Sequence, residues 1–108
     1  FQAERHSLIL FDHWQSDVVG HRGTMAEAVE LVERLDAALG GIMEEWNPDE
    51  GLVIITSDHG NLEDMGTRHH TINMVPTILI GRGHARLARR IHDLTDLAPA
   101  ITEYLGCP

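Results

Sequence analysis

The chain has 108 residues, enough for one domain, and carries a formal net charge of −9. With only eight Lys and Arg residues it is not expected to bind nucleic acid, because the release of counterions from phosphates needs clustered positive charge. The apolar runs are too short to span a membrane. The single Cys107 cannot form an internal disulfide and no signal peptide is visible, which together predict a cytoplasmic protein.

The first predicted element is a short strand at residues 7–11, where an apolar run between polar residues is typical of a strand buried on both faces. Residues 12–23 include polar side chains and two glycines, which favours a loop with room for one helical turn. Thr24 then begins a helix, because Glu27 completes a capping box. Apolar residues recur at three- and four-residue spacing as far as Trp46, as expected of a helix that faces a core.

The second half of the chain predicts two more strands and one helix. Residues 52–56 form a buried apolar strand, and residues 75–80 form another. The connection at residues 58–74 lacks periodicity and is longer than packing requires, and such loops are usually functional. Residues 84–93 are ambiguous and could form an edge strand. Thr95 caps a closing helix, which stops at a glycine near the end of the chain.

Strand, helix, strand, loop, strand and helix in this order predict an α/β fold with a parallel sheet and a right-handed first crossover. Three strands and two helices cannot cover both faces of an open sheet. The domain is therefore expected to be incomplete, with further strands supplied by a missing N-terminal segment or by a second copy of the chain. A first residue that is Phe1 rather than Met agrees with a fragment or a processed product.

Three separated stretches carry side chains that bind metals. Asp17 and His21 lie four residues apart, which places both on one side of a helical turn. Asp58 and His59 follow the second predicted strand, and His69 and His70 precede the third. Carboxylate oxygen and imidazole nitrogen together suit zinc or manganese. Each pair alone is a common surface feature, but their joint occurrence after successive strands predicts a metal site at one edge of the sheet.

Four motifs in this order resemble the metalloenzyme domain of the alkaline phosphatase superfamily. They are Asp17-Val-Val-Gly-His-Arg-Gly, Ser57-Asp-His-Gly-Asn-Leu-Glu, His70-Thr-Ile-Asn-Met-Val-Pro and Thr95-Asp-Leu-Ala-Pro-Ala-Ile. The nearest branch is that of cofactor-independent phosphoglycerate mutase and phosphopentomutase. The resemblance covers nearly the whole chain, and it implies that residues 1–108 are the C-terminal part of an alkaline phosphatase-like domain with three α/β/α layers.

The resemblance implies two divalent ions, zinc or manganese, with separate ligands in this chain. Asp17, His21 and His70 match the ligands of the first ion, and Asp58 and His59 match two ligands of the second. In the family, the remaining aspartate and the phosphorylated serine or threonine lie upstream, and neither can be placed here. No catalytic residue is therefore assignable in this chain.

Two carboxylates near the second motif are candidates for outer contacts to the metal ligands. Glu63 and Asp64 could accept hydrogen bonds from histidine N–H groups, as carboxylates behind metal-bound histidines do. Alternatively, both are solvated loop carboxylates. Met74 stands where the mutase pattern often has proline, and no substrate-binding residue of the mutases can be assigned.

The function expected from these observations is divalent-metal-dependent phosphoryl transfer on a small phosphate ester, by a phosphomutase or a phosphatase-type hydrolase. This chain would supply the metal-binding half without the nucleophile. Two alternatives stay open: a metal-binding fragment that catalyses nothing, and an α/β interaction module in which the donors are incidental. The sequence does not distinguish mutase from hydrolase or identify the natural substrate.

Overall fold

A computed structural model describes residues 6–107 of the chain. In chain order the elements are α1 (Gln15–Arg22), α2 (Met25–Glu45), β1 (Leu52–Thr56), β2 (Thr77–Gly81), α3 (His84–Ala88) and α4 (Leu97–Tyr104). They divide into a central unit, Trp14–His84, and a terminal unit, whose described residues are 6–13 and 85–107. None of the described helices is long and apolar enough to cross a membrane.

The central unit begins with two helices joined by a sharp break. The region expected to be mainly loop forms the eight-residue helix α1, which ends at Gly23 in an extended conformation. Thr24 then caps α2 as predicted: the Glu27 backbone N–H donates to the Thr24 hydroxyl at 3.3 Å, and the Thr24 backbone N–H donates to the Glu27 carboxylate at 2.7 Å. Ala28 and Leu31 on α2 are fully buried.

The two strands of the central unit pair antiparallel, so the predicted parallel arrangement is wrong for this pair. The register runs from Leu52 opposite Gly81 to Thr56 opposite Thr77. A parallel pair needs a crossover that carries the chain back to the start of the first strand. Here residues 57–76 turn back at the end of β1, so β2 runs the opposite way. The apolar pattern identified both strands, but it carries no information on their relative direction, and the three-layer architecture stays a prediction.

The strand predicted at residues 7–11 does not form in the described structure. These residues have no β-pairing, and Leu10 and Phe11 are 88% and 81% exposed. Within residues 6–107 the sheet consists of β1 and β2 alone. An apolar run shows that a segment can be buried in a sheet, but it forms a strand only where a neighbouring strand supplies the hydrogen bonds.

The terminal unit contains the two short C-terminal helices. The ambiguous stretch begins with the helix α3 rather than an edge strand, and Leu87 of this helix is fully buried. Asp93, not Thr95, provides the cap: its carboxylate accepts from the Thr95 backbone N–H at 2.8 Å and starts a 3₁₀ turn that leads into α4. Gly106 follows α4 with φ of +70°, the left-handed conformation expected of a glycine that ends a helix.

Candidate metal centre

The turned-back loop between β1 and β2 brings the three donor stretches together in the central unit. Asp17 and His21 stand one turn apart on α1. The loop is closed by a bridge between Gly60 and Thr71, in which the Thr71 N–H donates to the Gly60 carbonyl at 2.9 Å. This bridge places His70, the residue before Thr71, next to Asp17 and His21 of α1.

Three donor atoms form a nearly equilateral triangle. Asp17 Oδ1 lies 3.2 Å from His21 Nε2 and 3.1 Å from His70 Nε2, and the two nitrogens lie 3.0 Å apart. A tetrahedral zinc ion with bonds of about 2.0–2.1 Å holds its ligand atoms about 3.3 Å apart. The three residues matched to the first ion thus have the spacing of one face of such a site.

His59 lies between two carboxylates. Its Nε2 is 3.8 Å from Asp17 Oδ1 and 3.6 Å from Asp58 Oδ2, and its ring stacks on that of His70 with centroids 3.6 Å apart. Asp17, His59 and His70 together also offer one ligand atom each within 4.8 Å of one another. The structure therefore brings His59 to the first carboxylate as well as to the second. The Asp58 side chain is 86% exposed and lies at the open side of the cluster.

The hydrogen bonds around His21 hold its ring ready to bind a cation. A carbonyl can only accept, so His21 Nδ1 donates its proton to the Arg68 carbonyl at 2.6 Å. In the neutral ring this leaves the Nε2 lone pair directed at Asp17 and His70. Arg68 itself is held by its guanidinium, which donates to the Gly23 carbonyl at 2.8 Å. A backbone carbonyl thus accepts the histidine N–H hydrogen bond that was expected to go to the carboxylate of Glu63 or Asp64.

The chemistry of the cluster fits a divalent cation. When His21 carries its proton on Nδ1, its Nε2 and the Asp17 carboxylate face each other as two acceptors at 3.2 Å. Two electron-rich atoms at that distance repel unless a proton or a cation lies between them. Oxygen and imidazole donors at this spacing match the preferences of zinc and manganese. The residues present therefore suit a divalent ion.

Asn61 is part of the site and was not identified by the sequence reasoning. It is 5% exposed, and its Nδ2 lies 3.3 Å from His21 Nε2, where it can donate to the same lone pair that a bound cation would take. Its Oδ1 is buried and has no hydrogen-bond partner among the described residues. The side chain fits against α1 because Gly20 has none: a Cβ there would overlap Asn61 Oδ1 and lie 2.5 Å from Cγ. The sequence signal was the Gly-Asn pair within the second motif, but burial of a polar side chain cannot be read from one sequence.

Glu63 has partners different from the histidine N–H groups expected for it. Its carboxylate accepts from the Thr71 hydroxyl, from Asn73 Nδ2 at 3.0 Å and from the Asn61 backbone N–H at 2.6 Å. The Thr71 hydroxyl first and then the Asn73 amide lower the pKa of Glu63 from 4.5 to about 2. Asp64 accepts from the Gly66 backbone N–H at 2.9 Å and so closes a local turn.

A surface cavity opens beside the first two donors. Its volume is about 430 Å³, and it is lined by Asp17, Val18, His21, Arg22 and Arg68. Its lining thus combines two arginines with the carboxylate-bearing Asp17 and the imidazole-bearing His21. This composition suits a small anionic ligand that would contact both a bound cation and an arginine.

The candidate metal centre and the mixed helix–strand fold agree with the family to which the chain is similar. The family model for the Metalloenzyme superfamily matches residues 1–108, and the chain belongs to that superfamily. The resemblance inferred from the motifs is thereby confirmed. Membership implies the use of divalent metal.

Several curated relatives carry the name 2,3-bisphosphoglycerate-independent phosphoglycerate mutase. The chain is 37% identical to that of Thiobacillus denitrificans over 113 residues and 39% identical to that of Cereibacter sphaeroides, each alignment covering 98% of the chain. It is 36% identical to the second such mutase of Methanosarcina acetivorans, over 99% of the chain. The chain spans 22% of the length of each of these relatives. No solved structure matches the chain significantly.

Proposed function

We propose that the chain is the metal-binding C-terminal part of a divalent-metal-dependent phosphoryl-transfer enzyme of the phosphomutase type. The observation that carries this proposal is the triangle of Asp17, His21 and His70, whose atoms lie 3.0–3.2 Å apart. The names of the curated relatives support the reaction class, and the substrate class is a small phosphate ester. A phosphatase-type hydrolase would need the same metal centre, so it stays the closest alternative reaction.

Two ions, zinc or manganese, are proposed, with the ligands divided as the family resemblance implies. Asp17, His21 and His70 would hold the first, and Asp58 with His59 would begin the second. The position of His59 between the two carboxylates supports a pair of adjacent ions, because one imidazole is within reach of both sites. Ions bound there would neutralise the phosphoryl oxygens and stabilise the charge that develops during in-line displacement.

The chain's own residues prepare this site in three ways. The Arg68 carbonyl fixes the proton of His21 on Nδ1, which leaves the lone pair of the ring on Nε2, the atom that would bind the cation. The buried Asn61 fills the space against α1 beside His21. Arg22 lines the 430 Å³ cavity, where its guanidinium would orient the anionic substrate.

We propose further that the nucleophile and the missing aspartate come from another segment of the protein or from a second copy of the chain. The coverage of 22% of each relative supports this, since most of the relative's length has no counterpart here. The 86% exposure of Asp58 supports it too, because the open side of the cluster can accept residues from elsewhere.

The proposal is tested with the complete reading frame that contains this chain. Metal content is measured after dialysis, and the interconversion of 2- and 3-phosphoglycerate and the hydrolysis of an aryl phosphate are measured with zinc or manganese. His70→Ala is compared with His69→Ala, a matched control, because His69 is the neighbouring exposed loop histidine. We expect H70A to lose bound metal and turnover while H69A keeps both.

Three outcomes would redirect the proposal. Metal binding that depends on His70 but supports no turnover of any phosphate ester would favour the alternative of a non-catalytic metal-binding protein. Equal metal content in H70A and the parent would contradict the metal centre itself. Hydrolysis of the aryl phosphate without mutase activity would assign the hydrolase reaction instead.

A further inference from the structure

Glu63 joins the two halves of the loop that carries the metal donors. One carboxylate oxygen accepts from the Thr71 hydroxyl and from Asn73, on the half that carries His70. The other accepts from the Asn61 backbone N–H, two residues after His59. Both oxygens are therefore used, and they bond to opposite sides of the loop. We call this arrangement of Glu63, Asn61, Thr71 and Asn73 the Glu63 clasp.

The side chains of the Glu63 clasp pack closely against Gly60. A Cβ on Gly60 would lie 2.6 Å from Glu63 Oε1 and closer still to Thr71 Oγ1, so the carboxylate and the hydroxyl occupy space that only a glycine leaves open. The Gly60–Thr71 bridge lies directly beside it. The pKa of about 2 means that the carboxylate is ionised throughout the range in which histidines bind metals, and hydrogen bonds to a charged acceptor are the stronger kind.

The position of the clasp determines how His59 and His70 meet. Thr71 directly follows His70 in the chain, and Asn61 lies two residues after His59. Glu63 accepts hydrogen bonds from the Thr71 hydroxyl and from the Asn61 backbone N–H. The two rings stack with centroids 3.6 Å apart and an angle of 17° between their planes, so a shift of either half of the loop would change the contact between them. The Asp64 carboxylate differs, because it accepts from the backbone N–H of Gly66, two residues further along, and so stabilises a local turn.

We propose that Glu63 is a positioning residue that sets the separation of His59 and His70 and thereby the affinity of the centre for a divalent ion. This inference rests on the proposed metal-dependent function. Glu63 does not contact the ion; it acts through His70. A glutamine at this position keeps one acceptor oxygen but replaces the other with an NH₂ group, which faces the Asn61 N–H as a second donor.

The test is a titration of the complete protein that contains this chain with Co²⁺ and with Zn²⁺, in competition with a chromophoric chelator. Glu63→Gln should weaken binding by about 10–100-fold, the usual effect of removing a group that orients a metal ligand. Glu33→Gln, the same charge change at an exposed position of α2, should leave the affinity unchanged. At saturating Co²⁺, the visible absorption of E63Q should differ from that of the parent in the same direction as that of His70→Ala.

A double-mutant comparison separates positioning from general loop stability. The weaker metal affinity that remains in H70A is titrated at higher Co²⁺ concentration, and in this background E63Q should change it little, because the ring that Glu63 positions is gone. A loss as large as in the parent background would show that Glu63 acts on the loop as a whole, and it would overturn the inference. If circular dichroism shows that E63Q does not fold, Thr71→Val is used in its place. This variant removes one hydrogen bond of the clasp, and its metal affinity is compared in the parent and H70A backgrounds in the same way. If T71V then bound the metal as tightly as the parent does, the result would contradict the proposal.

The remaining outcomes distinguish this inference from the proposed function. If the parent binds metal and E63Q binds it equally well, the positioning role of Glu63 is wrong and the metal centre stands. If the parent chain binds neither Co²⁺ nor Zn²⁺, the metal centre fails and the inference fails with it.

Discussion

Replacing Gly20 with alanine tests whether Asn61 is held against α1 as the structure shows. Gly20 is buried in the helix, and a Cβ there would overlap Asn61 Oδ1 and lie 2.5 Å from Cγ. The backbone of α1 cannot move away without displacing Asp17 and His21. The side chain of Asn61 must therefore leave its site, and its hydrogen bond to His21 is lost.

The expected cost follows from three contributions. Overpacking a filled site costs about 1–3 kcal/mol, and loss of the bond between Asn61 and His21 costs about 1 kcal/mol more. Alanine in place of glycine within a helix returns about 1 kcal/mol. The free energy of unfolding should thus fall by about 1–3 kcal/mol, and each kcal/mol lowers Tm by about 4–8 °C in a domain of this size.

Thermal unfolding followed by circular dichroism measures the effect, with Gly40→Ala as the matched control. Gly40 lies within α2, and a Cβ there would meet nothing within 4 Å, so alanine should stabilise the chain by about 0.5–1 kcal/mol. In an Asn61→Ala background the clash is absent, so G20A should cost much less there than in the parent.

Two results would refute the reasoning. One is a G20A variant as stable as G40A, since it would show that Asn61 does not occupy the space beside Gly20. The other is an equal cost of G20A with and without the Asn61 side chain, because the destabilisation would then come from the helix and not from the contact.

Three further predictions concern the bound metal, the Glu63 clasp and the N-terminal cap of α2. Zinc or manganese at 100 times its Kd should stabilise the chain by about 2.7 kcal/mol; thermal unfolding with and without EDTA should show this shift in the parent and in H69A but not in H70A. The folded-state pKa of Glu63 is lowered from 4.5 to about 2, chiefly by the Thr71 hydroxyl, so its contribution to stability is present above pH 4.5 and lost as the pH falls toward 2. Urea unfolding of metal-free protein should therefore show the parent losing more stability than E63Q between these pH values, and parallel losses would contradict the clasp. Thr24→Ala should lower the free energy of unfolding by about 1 kcal/mol through loss of the capping box, with no effect on the metal affinity measured by chelator competition.

Local interactions were predictable from the sequence, and tertiary ones were not. The start of α2 was found because the bonds between Thr24 and Glu27 join residues three apart. The helix α1 was expected to be largely loop, since Gly20 lowers helix propensity, and the packing of Asn61 that makes this glycine suitable involves a residue 41 positions away. The apolar runs identified β1 and β2 but left their direction open.

The same division holds for the candidate site. The motifs named the donors that the structure brings together, because a metal site needs particular side chains in a particular order. The outer contacts were missed or misassigned. The acceptor of the His21 proton is the Arg68 backbone carbonyl, which every residue type possesses and which no pattern can mark. Glu63 was identified as a supporting residue, but its partners Thr71 and Asn73 become neighbours only when the loop turns back.

The central claim is that donors from α1 and from the loop ahead of β2 bind one divalent ion. Anomalous diffraction at the zinc edge, from crystals of the protein grown with zinc, tests it most directly. The account predicts a peak about 2.0–2.2 Å from an oxygen of Asp17 and from the Nε2 atoms of His21 and His70. Zinc bound elsewhere, with these three side chains turned away from one another, would contradict it.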